Sequence, residues 1–220
     1  MAHRGGNSLA AVRAAVAAGA DVLELDVQPG PRGRVEVRHA SRIGPLPLLW
    51  DEGRVRRGWG AQLVLEQVLE AVDALPGEHR VMVDLKGEDV RLARAVAPLL
   101  AAARREVLVC GRHWPSLAEL AGPPGVRVLL SAGDAREVAA LRTAVAGGGR
   151  IGDGTAYGAS LASAHVTADL VRELGELLEL QVAWTVNDLE ECDRVLAAGV
   201  TGVTTDSAAV LRRVVALHEP

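Results

Sequence analysis

The chain has 220 residues, with 24 Lys and Arg against 28 Asp and Glu, so its formal net charge is −4. This balance implies no general affinity for nucleic acid. Hydrophobic residues make up 49% of the chain and aromatics only 2%, so aliphatic side chains must fill the core. No apolar run reaches the roughly 20 residues of a membrane helix, and no signal peptide precedes the first element. Because Cys110 and Cys192 both lie in apolar stretches, we expect a reduced, soluble, cytoplasmic protein.

In chain order, the sequence predicts helices that alternate with strands. Ser8 is typical of the N-cap of a helix over 9–18, and a strand follows at 22–27. The alternating segment 35–39 predicts a short hairpin arm, and the Pro- and Gly-rich stretch 43–60 predicts a long loop with its own apolar residues. Further helices are predicted over 64–75, 90–103, 116–120, 135–146, 167–178, 189–198 and 208–217. Further strands are predicted over 80–85, 107–110, 126–130, 150–157, 181–186 and 202–205.

This alternation indicates a parallel sheet, and eight strand–helix units indicate a closed (β/α)8 TIM barrel that forms one domain over residues 1–220. The eighth unit is counted from a first strand that is expected to be nearly absent, because His3 follows the start of the chain almost at once. Either the chain is truncated or its true start lies upstream. The alternative fold is an open doubly wound sheet, which is weakened because no glycine-rich dinucleotide fingerprint opens any helix.

Two carboxylates interrupt the apolar strand at 22–27. Glu24 and Asp26 are two positions apart, so their side chains point to the same side of the strand. Two acids facing one way inside a buried strand would repel each other and lose hydration, and a divalent cation with oxygen ligands would remove both penalties. The alternative is a strand end whose acids reach water or an arginine.

Many reactive side chains fall at or just past the carboxyl ends of predicted strands, which meet at one face of a barrel. His39 lies on the excursion that follows the second strand. The others at this rim are His3, Arg4, Glu24, Asp26, Asp84, Lys86, Trp184, Asn187 and Asp206. We interpret Asn187 and Asp188 first as the N-cap and first turn of the next helix, and the segment 205–207 first as a cap.

The residue types at this rim are suited to phosphodiester chemistry. Glu24, Asp26 and Asp84 are suitable ligands for one hard cation, Mg²⁺ or Ca²⁺. Arg4 and Lys86 supply fixed positive charge for a phosphate. Two histidines can act as base and acid on opposite sides of phosphorus.

The ordered motifs resemble the glycerophosphodiester phosphodiesterase family, within the phospholipase C-like barrel phosphodiesterases. The stretches that carry this resemblance are His3-Arg4-Gly5, Gly19 to Val27, His39, Asp84-Leu85-Lys86, Trp184 to Asn187 and Gly199 to Asp206. The resemblance spans nearly the whole chain. It implies metal ligands at Glu24, Asp26 and Asp84, a catalytic pair at His3 and His39, phosphate contacts at Arg4 and Lys86, and a pocket wall at Trp184. It also implies hydrolysis of a glycerophosphodiester to glycerol 3-phosphate and an alcohol.

Three features depart from the family pattern. The family's Pro-Glu-Asn segment is shortened to Gly6-Asn7-Ser8, and the acid that usually follows the second histidine is Ala40. The family's Glu-x-Lys is Asp84-x-Lys86, which resembles the sphingomyelinase D/phospholipase D-like branch.

These departures keep two alternative functions open. One is removal of headgroups from lysophospholipids or sphingolipids, with weak membrane-surface contact through residues 43–60. Trp50 and Trp59 would then enter the bilayer surface. The other is a barrel that binds phosphate compounds without turnover.

Overall fold

A computed structural model of the protein describes residues 1–44, 48–51, 53–58 and 62–217. Its helices are α1 (Leu9–Ala17), α2 (Leu65–Asp73), α3 (Val90–Ala101), α4 (Trp114–Ala118), α5 (Ala135–Ala146), α6 (Ala168–Gly175), α7 (Leu189–Ala197) and α8 (Ala208–Ala216). Its strands are β1 (Val22–Pro29), β2 (Val35–Val37), β3 (Ser41–Arg42), β4 (Leu48–Asp51), β5 (Arg54–Arg57), β6 (Arg80–Leu85), β7 (Val107–Gly111), β8 (Val126–Ala132), β9 (Arg150–Ile151), β10 (Gly154–Thr155), β11 (Gly158–Ala162), β12 (Leu180–Trp184) and β13 (Gly202–Val203). None of the described helices is long and apolar enough to cross a membrane.

The main sheet has eight strands in the order β13-β12-β11-β8-β7-β6-β1-β2. The pairings from β13 to β1 are parallel, and β2 is antiparallel to β1, as the predicted hairpin arm requires. At the start of the chain, Ala2 forms parallel bridges with both Leu23 and Thr205. The two ends of the parallel series therefore meet at Ala2. The fold is α/β and TIM-barrel-like.

Alternation along the strands produces two separate apolar regions. One face of each strand packs against the surrounding helices and forms the larger cluster, which includes Leu25, Val83 and Leu161. The other face points into the curled sheet, where a smaller cluster contains Met1, Val22, Met82, Leu108, Cys110, Leu129 and Val182. Because Glu24 and Asp26 lie two and four positions after Val22, they share its inward direction. The two acids therefore lie next to this smaller apolar cluster, on the inner side of the sheet.

Local capping explains where many helices begin. The side chains of Ser8, Asp89, Asp134, Thr167, Asp188 and Ser207 each accept a hydrogen bond from a backbone N–H in the first turn of the following helix. This satisfies N–H groups that have no partner within the helix. The predicted caps at Ser8 and within 205–207, at Ser207, are confirmed, whereas α7 is capped by Asp188 and not by the predicted Asn187.

The prediction of a long loop over 43–60 was wrong for its described part. β4 and β5 form an antiparallel hairpin, and β3 pairs with β4 to make a three-stranded sheet. Gly53, at φ 83°, lies between the paired residues Asp51 and Arg54. Glycine adopts this conformation without strain, so it makes the hairpin turn here rather than marking a loop. Trp59 and Gly60 lie outside the described residues.

The strand predicted over 150–157 was also misplaced. β9 and β10 form only a two-stranded antiparallel pair, while β11 is the strand that joins β8 and β12 in the main sheet. The sequence Gly-Ala-Ser-Leu-Ala of β11 contains no β-branched or aromatic residue, so its local preference for a strand is weak. Pairing with neighbours on both sides forms this strand.

Candidate functional site

A cavity of about 330 Å³ opens among the inward-facing side chains of the main sheet. Seven of the eight predicted site residues line it: His3, Arg4, Glu24, His39, Asp84, Lys86 and Trp184. They come from the segment before α1, the sheet strands and the turns that follow them, and the loop after β2. The eighth, Asp26, is 0% exposed and does not line the cavity.

The three predicted metal ligands lie close together. One carboxylate oxygen from each of Glu24, Asp26 and Asp84 lies within 4.8 Å of the others. Pairing of β1 with β6 places Asp26 directly opposite Asp84, and Glu24 lies one inward position earlier. Parallel pairing thus creates a group of three oxygen ligands from two strands.

The environments of these acids differ strongly. Glu24 is 4% exposed. Burial, followed by the negative charges of Asp26 and Asp84, raises the pKa of Glu24 to about 8. Burial is also the main reason that the pKa of Asp84 is raised, although the charge of Lys86 opposes the shift.

Asp26 is held in its charged form by three neighbours. The Asn7 Nδ2 amide donates to Asp26 Oδ2 at 2.7 Å, and Lys86 Nζ lies 2.7 Å from Asp26 Oδ1. Arg4 Nε lies 3.8 Å from Asp26 Oδ2. Burial alone would raise the pKa of Asp26, but the charge and hydrogen bond of Lys86, with the Asn7 amide, lower it overall.

Lys86 directly follows β6, and its ammonium group pairs with an acid on each of the two strands. Its Nζ contacts Asp84 as well as Asp26. Burial acts to lower the pKa of Lys86, but the charges of Asp84 and Asp26 outweigh burial and raise it. The ammonium group is therefore a permanent positive charge at the wall of the cavity.

Each of the two predicted catalytic histidines has a carboxylate at its Nδ1. His3 Nδ1 lies 2.8 Å from Asp206 Oδ1, and His39 Nδ1 lies 3.0 Å from Asp51 Oδ1. A carboxylate at Nδ1 favours the tautomer that carries a proton there and leaves Nε2 for a substrate. Both imidazoles line the same cavity.

Several residues of the site were missed by sequence reasoning. Asp206 was interpreted as part of a cap, but it contacts His3 and accepts from Asn187 Nδ2 at 3.3 Å. Asn187 was interpreted with Asp188 as a cap; Asp188 alone caps α7. Asn7 lay in a shortened motif, and no pattern marked Asp51. Additional residues that line the cavity are Met82, Cys110, Arg112, Ser131, Ser160, Thr185 and Thr204.

The residues fit a single hard cation. Hard divalent cations take oxygen ligands, and the three carboxylates converge from two adjacent strands. Asp26 Oδ1 is buried, and the Lys86 ammonium group lies 2.7 Å from it. The negative charge that raises the pKa of Glu24 would be neutralised by a cation.

The fold and the cavity therefore define a TIM-barrel-like protein. Its pocket lies inside the curled sheet and is lined by carboxylates together with the basic side chains of Arg4 and Lys86. No protein-family model matches the sequence, and no curated protein matches it. Solved structures do match, over nearly the whole chain.

Three of these structures show the range of the similarity. The candidate glycerophosphoryl diester phosphodiesterase from Silicibacter pomeroyi DSS-3 has a TM-score of 0.77 at 21% identity, covering 98% of this chain and 92% of its own. The glycerophosphodiester phosphodiesterase from Thermotoga maritima has a TM-score of 0.74 at 19% identity, covering 99% and 97%. The Oleispira antarctica phosphodiesterase, in complex with the product sn-glycerol-3-phosphate, has a TM-score of 0.72 at 15% identity, covering 98% and 95%. The resemblance to glycerophosphodiester phosphodiesterases is thus confirmed at the level of the fold.

Proposed function

We propose that the protein hydrolyses glycerophosphodiesters to glycerol 3-phosphate and an alcohol. The observation that carries this proposal is the convergence of two imidazoles, two fixed cations and the carboxylates of Glu24 and Asp84 at one cavity, with the Asp26 carboxylate close to both acids. The structural neighbours support it, since one of them holds sn-glycerol-3-phosphate as its product. In this proposal, residues 1–220 form one catalytic domain whose first barrel strand is reduced to the bridge at Ala2.

His3 and His39 are the proposed acid–base pair. His3 Nε2 takes the proton of the glycerol hydroxyl next to the phosphodiester, and that oxygen attacks phosphorus. The bond to the alcohol oxygen breaks, and His39 Nε2 gives its proton to that oxygen. In the second half, His39 takes a proton from water and His3 returns one to glycerol, which opens the cyclic phosphate. The net reaction consumes one water molecule.

The remaining residues bind and orient the phosphate. Arg4 and Lys86 face the cavity and would contact its oxygens, and Trp184 would form a wall against the substrate. Glu24, Asp26 and Asp84 would hold Mg²⁺ or Ca²⁺. A bound divalent cation supplies charge neutralisation at the phosphate.

A substrate panel tests this function. Purified protein is incubated with glycerophosphocholine, glycerophosphoethanolamine or glycerophosphoinositol, with Mg²⁺, with Ca²⁺ or with EDTA, and followed by phosphorus NMR. We expect glycerol 3-phosphate, preceded by a cyclic phosphate, only when a divalent cation is present. A His3→Gln variant should produce neither. Binding by calorimetry with no product over hours would instead indicate a binding protein.

A second candidate function, headgroup removal from lysolipids, is favoured by the exposed face of the β4–β5 hairpin. Trp50 and Val55 are cross-strand partners that are 50% and 56% exposed, and Arg57 lies on the same face by alternation. Aromatic, aliphatic and basic side chains together are typical of a surface that contacts anionic lipid.

Vesicle co-sedimentation tests this lipid contact. Wild type should pellet with vesicles of anionic phospholipid and not with neutral ones, and a Trp50→Ser/Val55→Ser variant should remain in the supernatant. A Leu177→Ser variant is the matched control, since Leu177 is 45% exposed elsewhere on the surface. If wild type stays in the supernatant with anionic vesicles, the lipid candidate is excluded.

A further inference from the structure

The carboxylate beside the second histidine comes from an unexpected place in the chain. The residue after His39 is Ala40, which cannot hydrogen-bond an imidazole through its side chain. Asp51, twelve positions away on β4, instead places Oδ1 at 3.0 Å from His39 Nδ1. Its other oxygen, Oδ2, lies 3.3 Å from Arg56 Nη1 on β5. The second contact limits rotation of the Asp51 carboxylate.

The register of the small sheet explains this placement. Ser41 pairs with Trp50, so continuing the antiparallel register by one residue sets Asp51 opposite Ala40, next to His39. Successive side chains of β4 point to opposite faces of the small sheet. Trp50 points outward, and Asp51 points toward the cavity side. The side chain of Asp51 is only 15% exposed.

We infer that Asp51 is the positioning residue that holds His39 as the general acid of the reaction, so that the β3–β5 sheet is part of the active site. This inference rests on the proposed function. A carboxylate at Nδ1 fixes the orientation of the ring, directs the Nε2 proton into the cavity and stabilises the imidazolium. Asp51 acts through His39 and contacts no substrate itself.

The charges around this pair are consistent with the assignment. The hydrogen bond from His39, then the positive charges of Arg56 and Arg4, keep the pKa of Asp51 below its usual value despite some burial. Asp51 therefore stays ionised at neutral pH and can support a positive charge on the imidazole.

The test compares two substrates that differ in their need for an acid. Departure of choline from glycerophosphocholine requires a proton on the leaving oxygen, whereas p-nitrophenolate leaves the p-nitrophenyl ester of glycerol phosphate without one. We expect Asp51→Asn to lower kcat on glycerophosphocholine by about 10²-fold with KM changed little. The loss on the nitrophenyl ester should be less than about tenfold. Asp51→Glu should recover part of the loss, and Asp169→Asn, at an exposed surface position, should match wild type.

Two kinetic outcomes would overturn the inference. One is an Asp51→Asn variant within twofold of wild type on glycerophosphocholine, and the other is an equal loss on both substrates. A readout without turnover keeps the test independent of the proposed function. Nitrogen NMR of the His39 ring should show a proton held on Nδ1 in wild type and tautomer exchange in Asp51→Asn. An unchanged ring spectrum would contradict the inference even if the wild-type protein hydrolysed neither substrate.

Discussion

At the scale of single residues, the two carboxylates of β1 have different roles in the cation-free protein. Asp26 is fully buried, but it is ion-paired with Lys86 and accepts a hydrogen bond from Asn7. Glu24 accepts from the Arg4 backbone N–H at 2.6 Å, yet burial and the neighbouring acids raise its pKa to about 8. Asp26 therefore belongs to a stabilising ion pair, whereas the charge of Glu24 is unfavourable.

This difference predicts opposite effects of two isosteric substitutions. In EDTA at pH 7, Asp26→Asn should destabilise the protein by about 3 kcal/mol or more, because it removes the charge paired with Lys86. The single oxygen of the new amide also cannot accept from both Asn7 Nδ2 and Lys86 Nζ. Glu24→Gln should leave stability unchanged or raise it, because Gln still accepts from the Arg4 N–H. Urea unfolding measures both, with Asp169→Asn as control. Equal losses in the two variants would contradict this assignment.

The raised pKa of Glu24 also predicts how stability depends on pH without a cation. Between about pH 4.5 and 8 the native state binds a proton at Glu24 that the unfolded state has released. The free energy of unfolding should therefore fall as pH rises through this window, by an amount on the order of a few kcal/mol. Urea titrations in EDTA at pH 5, 6.5 and 8 measure this slope. Glu24→Gln should make the free energy of unfolding nearly independent of pH in this window. The same fall with pH in this variant as in wild type would refute the prediction.

At the scale of elements, the pairing of β11 with β12 depends on a glycine, Gly158, at the first position of β11. A Cβ built on Gly158 would lie 2.3 Å from the Leu180 carbonyl oxygen at the start of β12. A backbone atom cannot move away without disturbing the pairing of β11 with β12. This glycine allows the close approach of the two strands.

We expect Gly158→Ala to destabilise the protein by about 2 kcal/mol or more, in the range reported for overpacked sites. In a chain of this size, that lowers Tm by at least about 4 °C. Gly147→Ala is the matched control, because Gly147 has φ −81° and a Cβ there would meet its nearest neighbour at 3.4 Å. Thermal melts of both variants test the difference, and similar melting points would show that the strands can separate without cost.

At the scale of the whole molecule, the acidic site joins the adjacent strands β1 and β6 of the barrel-like sheet. A cation held by Glu24, Asp26 and Asp84 would bind the folded chain and not the unfolded one. Binding of this kind stabilises by about 2.7 kcal/mol when the ligand is at 100 times its Kd. The three-carboxylate site thus couples cation binding to global stability.

Melting points should therefore respond to divalent cations. Relative to EDTA, saturating Mg²⁺ or Ca²⁺ should raise the Tm of wild type by about 5–10 °C. The Glu24→Gln/Asp26→Asn double variant should show no rise with either ion. A wild-type Tm that is indifferent to both ions would exclude the cation site, whatever the activity of the protein.

The sequence by itself determined most of the helices and strands and most of the side chains that line the cavity. Helix caps such as Ser8, and the alternation of strands with helices, are local signals, so the order of elements and the α/β fold followed from them. Because carboxyl ends of parallel strands meet, the sequence also indicated which side chains would share a cavity. Seven of those side chains line one cavity, whereas Asp26, Asn187 and Asp206 do not.

Only the tertiary structure decided the partners of those side chains. His3 and Asp206 are 203 positions apart and meet because Ala2 bridges to Thr205. Asp51 reaches His39 through the register of the small β3–β5 sheet. The glycines and prolines of this segment had favoured the prediction of a loop instead. β11 forms by pairing on both sides and not by propensity. Such contacts depend on chain closure and register, which no local window of sequence contains.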